Sequence, residues 1–495
     1  MTKSVGQWDV FGLELMGPAD GNPFVDVTFG ATFSCDGRSI RVSGFYDGNA
    51  NGSGGPVDGA NHGVYRVRFM PDVQGRWQYV TFSNEPQLDA RSGSFQCVQP
   101  RDGVHGPVRV ANRFHFAHAD GTPHYSIGTT CYAWTHQGDQ MEEKTLAALA
   151  DGPFNKIRMC VFPKDYTFSR NEPPRHAFDK RADGSWNTAC FNVDYFRHFE
   201  KRIGQLADLN IEADIILFHP YDRWGYSKMD ALSDDRYIRY ITARLAAFRN
   251  VWWSMANEYE LMRSKTVEDW DRMGRLVRDC DPYGRPISIH NCNTFYDHSR
   301  PWISHCSVQN VHLERIKDWR DQYKKPVVID ECCYEGDLEF PWGNIPAAEM
   351  VRRFWMGICR GGYVGHGETY RHPQDILWWS KGGELHGQSA PRIAFLRKIM
   401  EEGPPQGLEP ATQPPLHTWS HVCCAGVHPS YFLAYLDMHA PSEIGLTLPQ
   451  GNTYRVEVLD TWEMTVKVLA EAASGVARLP MPGKSCQALR IRKCE

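Results

Sequence analysis

Residues 251–258 read VWWSMANE and residues 326–331 read PVVIDE. Each is a short apolar run, rich in β-branched or aromatic side chains, that ends in a carboxylate. That is the pattern of a fully buried strand whose C-terminal end carries a polar group. Six further runs fit the description: 125–132 (YSIGTTCY), 155–162 (NKIRMCVF), 211–218 (IEADIILF), 285–290 (RPISIH), 307–312 (SVQNVH) and 361–367 (GGYVGHG). Amphipathic stretches such as Phe196–Leu209 and Asp235–Phe248 lie between them. Eight such alternations predict an α/β fold, a (β/α)8 TIM barrel over residues 106–405. A doubly wound sheet would place a glycine-rich phosphate loop after its first strand, and here CYAWTHQ stands in that place.

The flanks read differently. Before residue 105, alternating runs (Val25–Phe29, Val64–Phe69, Trp77–Val80) sit between clusters of Gly, Asn, Asp and Pro, which predicts an Ig-like β-sandwich over 1–105 with a long loop at 46–62. Beyond the proline-rich stretch 404–415, the runs Tyr431–Leu436, Tyr454–Val458 and Ala488–Ile491 predict a second β-sandwich over 412–495.

Composition narrows the function classes. A net charge of -5, from 54 basic and 59 acidic side chains, carries no basic footprint for a nucleic-acid partner. No stretch is long and apolar enough for a membrane partner, and the opening MTKSVGQWDVFG has no apolar segment of a secretory signal. The 15 cysteines are odd in number and scattered without C-x-x-C, which suits a reducing cytoplasm better than a disulfide framework or a zinc site. The expectation is a cytoplasmic protein with no metal and no cofactor, with a homo-oligomer left open.

A barrel of this kind holds its active site at the C-terminal ends of the strands. The fourth strand ends in Asn257-Glu258 and the seventh in Asp330-Glu331. The third ends at His219 and Tyr221, the fifth at His290, the sixth at His312, and the eighth at His366 and Glu368. Glu258 and Glu331 therefore face each other across one pocket. Two facing carboxylates are the minimum for glycoside hydrolysis: one protonated to serve the leaving oxygen, the other ionised toward the anomeric carbon. Glu368 is expected either to bind a substrate hydroxyl or to pair with Arg371 or Arg360. Trp134, Tyr221, Trp224, Trp378 and Trp379 are candidates for stacking on sugar faces, whereas Trp252 and Trp253 lie within a strand and are assigned to the core. Lys164 and Asp165 open the loop 163–195, which together with 332–345 is expected to wall the pocket. Cys332 is expected in that wall. The histidines show no H-E-x-x-H spacing.

The segments VWWSMANEYE and PVVIDECCYEG resemble the acid/base and nucleophile segments of clan A glycoside hydrolases, the 4/7 superfamily. The resemblance implies that Glu258 is the acid/base, Glu331 the nucleophile of a retaining reaction, and Asn257 a ligand of the sugar 2-hydroxyl. It also implies that Arg158 supports the nucleophile and that His312 lies near it. Over nearly its full length the chain is similar to a bacterial group of three-domain glycosidases, through GQWDVFGLEL, NPFVDV and GVYRVRFMP, then IRMCVFPK, then GHGETY and LWWSKGGELHG. The implied partner is a carbohydrate substrate, and a cytoplasmic setting favours exo action on short glycosides. A transglycosylase with the same residues, or a barrel that binds glycans without cleaving them, are the rival readings.

Overall fold

In a computed structural model, residues 3–49, 62–373, 376–416 and 422–494 are described. Eight parallel strands build the centre: β1 (Ile127–Thr130), β2 (Lys156–Cys160), β3 (Glu212–Phe218), β4 (Val251–Ala256), β5 (Ile287–Ser288), β6 (Cys306–Gln309), β7 (Val327–Glu331) and β8 (Tyr363–His366). Their order is β5-β4-β3-β2-β1-β8-β7-β6. A single bridge, His290 to Ser307, spans the remaining gap between β5 and β6. This is the expected (β/α)8 barrel.

The helices that cover it are α1 (Asp139–Asp151), α2 (Val193–Asp208), α3 (Ala231–Leu245), α4 (Val267–Cys280), α5 (Ile316–Tyr323), α6 (Ala347–Ile358) and α7 (Ser389–Glu401). Three of them, α2, α3 and α4, start where short polar side chains satisfy the free amides of a first turn. The Asn192 side chain accepts from the Tyr195 amide, Asp230 from that of Ser233, and Thr266 and Asp269 form a reciprocal capping box. Between β5 and β6 the chain runs as irregular coil rather than helix.

The barrel interior holds charge. Lys156 Nζ reaches Asp330 at 2.7 Å and Asp214 at 3.1 Å, all three essentially without solvent exposure. Gly128 lies opposite Lys156 on β1, and a side chain there would press within 3.0 Å of the lysine stem. Burial opposes the ammonium, but the two carboxylates outweigh it and hold the Lys156 pKa above its ordinary value.

The N-terminal flank packs a five-stranded sheet (Ser4–Gly6, Phe29–Cys35, Arg38–Ser43, Gly75–Ser83, Ser92–Val98) against a three-stranded one (Phe11–Pro18, Phe45–Asn49, His62–Phe69). The strand expected at Val25 starts only at Phe29. Pro23 has the backbone angle of a first helical position, and Pro23–Asp26 forms a short helix instead. Within the expected loop 46–62, Phe45–Asn49 is strand, and residues 50–61 lie outside the described residues. Arg68 joins this flank to the barrel through Glu200 at 2.7 Å, and Arg244 reaches back to Asp47 at 2.8 Å.

At the other end a six-stranded sheet and the pair Glu443–Thr447 with Val476–Pro480 enclose a separate apolar core around Phe432, Leu446, Tyr454 and Ile491. Glu409–Pro410, inside the proline-rich stretch, adds an edge strand to that sheet, the position where a residue without an amide donor is tolerated. No helix among the described residues is long and apolar enough to cross a membrane.

Removing Lys156 leaves two buried carboxylates facing each other. Lys156→Met should therefore cost on the order of 3–5 kcal/mol, read as a lower urea midpoint at unchanged slope. A loss below about 1 kcal/mol would show that the carboxylates find another partner or a proton at little cost.

Candidate active site

The C-terminal ends of the strands open into a cavity of about 820 Å³ that contains both Glu258 and Glu331. That size lies within the roughly 300–1,000 Å³ of small-molecule sites.

Glu258 follows β4 with φ of 51°, in the left-handed region. A non-glycine residue is held there only when its surroundings impose it, and such positions cluster at functional sites. Asn257 Nδ2 donates to Glu258 Oε2 at 3.0 Å. The amide orientation is fixed because Oδ1 faces two donors, the Tyr132 hydroxyl at 3.0 Å and Arg158 Nη2 at 3.4 Å.

Glu331 ends β7. Its Oε1 accepts from the Tyr132 hydroxyl and lies 3.6 Å from Arg158 Nη1 and 3.8 Å from His290 Nε2. Every one of these contacts falls on the same oxygen. Tyr132 has one proton for two acceptors, and an ionised Glu331 is the stronger claim on it. Burial pushes the Glu331 carboxyl up to about 7, with the Tyr334 hydroxyl pulling the other way. Arg158 also lies 3.6 Å from Asp214, which ties the site to the buried charges below. Burial holds His290 well below the usual imidazole range, so it faces Glu331 neutral.

The walls come from the two long loops. Tyr166, Thr167 and Phe168 line one side, Leu338, Glu339, Phe340 and Trp342 the other. Lys164 lies beneath a ring of aromatic faces: Tyr132 at 3.4 Å, Tyr221 at 4.4 Å, Tyr166 at 4.9 Å and Trp379 at 6.0 Å. Burial draws its amine down to about 8, against an upward pull from Cys160 and Glu258.

The structure gathers Glu258, Glu331, Asn257, Tyr221, Lys164 and Trp379 at the cavity, with Arg158 and His290 directly behind Glu331. It separates the others. Trp134 is wholly buried, and Trp378 is buried with its indole nitrogen donating to Thr129 at 2.8 Å, so neither offers a face to a ligand. His312 is 62% exposed and pairs with Glu314 at 2.9 Å; β6 ends before it, and the neighbour of Glu331 is His290. Glu368 is buried outside the lining and accepts from the His386 amide, while Arg371 faces the cavity. His219 is buried with Nε2 against the Phe162 carbonyl at 3.0 Å. Asp165 turns to Arg223 at 3.2 Å, and Trp224 bonds Glu172. Cys332 lies behind the wall, toward the Gly365 carbonyl.

Tyr132 and Tyr334 escaped the sequence reading. Tyr132 closes the YSIGTTCY run, so asking which polar group ends the first strand would have found it. Tyr334, three residues past Glu331, carries no such signal.

Residues 110–406 match the family described as "Apiosidase-like, catalytic domain". Residues 4–84 and 419–492 match two domains of unknown function, DUF5060 and DUF5605. A solved structure from Bacteroides vulgatus, described provisionally as a glycoside hydrolase, is 36% identical, covers 99% of this chain and 100% of its own, and superposes with a TM-score of 0.91. A glycoside hydrolase family 5 structure from the same organism shares the fold at 15% identity and a TM-score of 0.62, over 78% of this chain and 94% of its own. No curated protein matches.

If burial governs Glu331, pH-difference infrared spectra should contain carboxyl intensity titrating near 7, shared with Glu368, and Glu331→Gln should remove its part. Tyr334→Phe should move that part to higher pH. Intensity unchanged by Glu331→Gln would assign the titration elsewhere.

Proposed function

Because the chain belongs to the family of the apiosidase-like catalytic domain, we propose that it is a retaining glycoside hydrolase acting on the ends of short glycosides, with Glu331 as nucleophile and Glu258 as acid/base. One observation carries the assignment of Glu331. Tyr132 donates to Oε1, and Arg158 and His290 stand near the same oxygen, which supports a carboxylate turned with Oε2 toward the anomeric carbon.

In the first step Glu331 attacks the anomeric carbon and the glycosidic bond breaks, while Glu258 gives its proton to the departing oxygen. In the second, Glu258 takes a proton from water, the hydroxide forms the new bond, and Glu331 leaves as carboxylate. In this reading Asn257 binds the substrate hydroxyl next to the reacting carbon, supported by its bond to Glu258 and its hold by Tyr132 and Arg158. Trp379 and the tyrosines offer flat apolar faces to the ring. The fifteen unpaired cysteines favour a reducing compartment and thus small imported substrates.

A panel of aryl glycosides and short oligosaccharides, β-apiosides included, tests this. Glu331→Ala should fall to background on the substrate that wild type cleaves. Glu258→Ala should lose roughly 10²–10⁴-fold and regain rate with azide, giving a glycosyl azide of retained configuration. Equal turnover by Glu331→Ala would remove the assignment. For wild type, kcat/KM should fall about tenfold per pH unit below about 7, as the free enzyme's Glu331 takes up a proton and loses its nucleophilicity. An acid limb near 4.5 would mean that Arg158 and Tyr132 hold the carboxylate ionised despite its burial.

A further inference from the structure

We propose that Glu335, His366 and Glu368 form a binding site for one divalent transition-metal cation behind the cavity wall, separate from the proposed reaction centre. Just past β7 and β8, Glu335–Gly336 and Glu368–Thr369 pair in parallel, with Glu335 directly opposite Glu368. Partners in register send their side chains to the same face, so the two carboxylates meet. His366, two residues earlier, brings a ring nitrogen, and one ligand atom from each of the three residues lies within 4.8 Å of the others. All three side chains are buried.

Two buried carboxylates meet here, whereas Glu212 and Asp281, which also lack an ion pair among the described residues, each accept from an indole N–H. Buried Asp47, Glu142, Glu200, Asp330 and Glu457 each have an arginine or lysine against them. Glu335 and Glu368 have no ion pair with Lys or Arg among the described residues. Glu335 accepts from the Gln388 amide at 2.7 Å, the Tyr370 hydroxyl at 3.1 Å and the Ser389 amide at 3.2 Å, and Glu368 Oε1 accepts from the His386 amide. These donors are neutral and bring no positive charge to the pair. Glu368 Oε2 and His366 Nε2 are buried and have no hydrogen-bond partner among the described residues.

A doubly charged cation would balance the two carboxylates and occupy those orphaned atoms. One imidazole with two carboxylates suits zinc or manganese, whereas calcium prefers an all-oxygen shell. His366 is oriented as metal-bound histidines usually are, through its other nitrogen. Nδ1 lies 2.9 Å from the Thr129 hydroxyl, which the Trp378 indole also holds. The alternative cluster, Asp139, Glu142 and His198, is already neutralised by Arg202. Glu335 directly follows Tyr334, so the cation would fasten the segment that lays Tyr334 against Glu331 and the loop bearing Phe340 and Trp342.

The test uses the full chain, stripped with a chelator and then dialysed against Zn²⁺. We expect one zinc per chain by elemental analysis and a melting temperature several degrees above the stripped protein, with Ca²⁺ producing no such rise. Glu368→Gln and Glu335→Gln, each isosteric and still able to accept the neighbouring amides, should fold, lose the bound equivalent and lose the thermal shift. Two results would overturn the proposal: wild type that takes up no zinc, in which case a proton neutralises the pair, or both variants keeping the equivalent, in which case the metal sits on surface histidines.

Discussion

The organisation of the barrel depends on one buried ammonium. Lys156 lies between Asp214 on β3 and Asp330 on β7, strands that do not touch each other in the sheet. In a medium of low polarity each of these charges is unaffordable alone, and truncating one partner exposes the full cost of the others. The triad therefore fixes how β2, β3 and β7 stand relative to one another. Ser307 on β6 joins by donating to Asp330 at 2.6 Å. One residue beyond Asp330 is Glu331, and two beyond Lys156 is Arg158. The two groups that meet at the cavity floor inherit their positions from the pair beneath them.

A second consequence concerns Asn257. It is held by Tyr132 from β1 and Arg158 from β2 while it holds Glu258. Residues of three strands, β1, β2 and β4, thus set the direction of one carboxylate, and the left-handed backbone at Glu258 is maintained by that convergence. Glu331 shares Tyr132 and Arg158 with Asn257. Displacing either shared residue disturbs both carboxylates together, so effects of mutations here should be strongly non-additive.

How much of this can be read from sequence follows from where the information lies. The eight strands are legible because a fully buried parallel strand needs a continuous apolar run, and VWWSMA and PVVID cannot be much else. The carboxylates at their ends are legible because barrel strands end at the mouth. Trp134 and Trp378 are not: a tryptophan that plugs the rim and one that faces a ligand have the same letter and similar neighbours. Of the adjacent pair, Trp379 reaches the cavity and Trp378 bonds Thr129, and only the turn of a four-residue helix decides which. His312 failed for another reason. The polar–apolar alternation of SVQNVH carries on through Val311 past the point where β6 stops at Gln309, which puts the apparent strand end three residues late. Glu335, His366 and Glu368 were invisible as a group, since two of them meet only through a strand pairing beyond the barrel proper.

The same burial that positions Glu331 works against its ionised form. Moving its pKa from 4.5 to about 7 is worth on the order of 3 kcal/mol against the charged carboxylate. The sign follows from linkage: the folded chain holds a proton that the unfolded chain has released, so this residue costs stability as pH rises from 4.5 toward 7, and the cost is complete above that. Asp330, next to it, behaves in the opposite sense. Burial opposes its charge, but Lys156 and Arg158 more than compensate and hold its pKa below the usual carboxylate range, so it stabilises the fold above the ordinary aspartate pKa and gives that up in acid. Adjacent carboxylates at the end of β7 thus pull the stability curve in opposite directions. The difference is where the cations point: Lys156 touches Asp330 at 2.7 Å, while Arg158 stands 3.6 Å from Glu331. A guanidinium in direct contact would tie up the oxygen lone pairs and lower their reactivity. Standing off, it leaves the oxygens uncapped, which is what the proposed nucleophile requires.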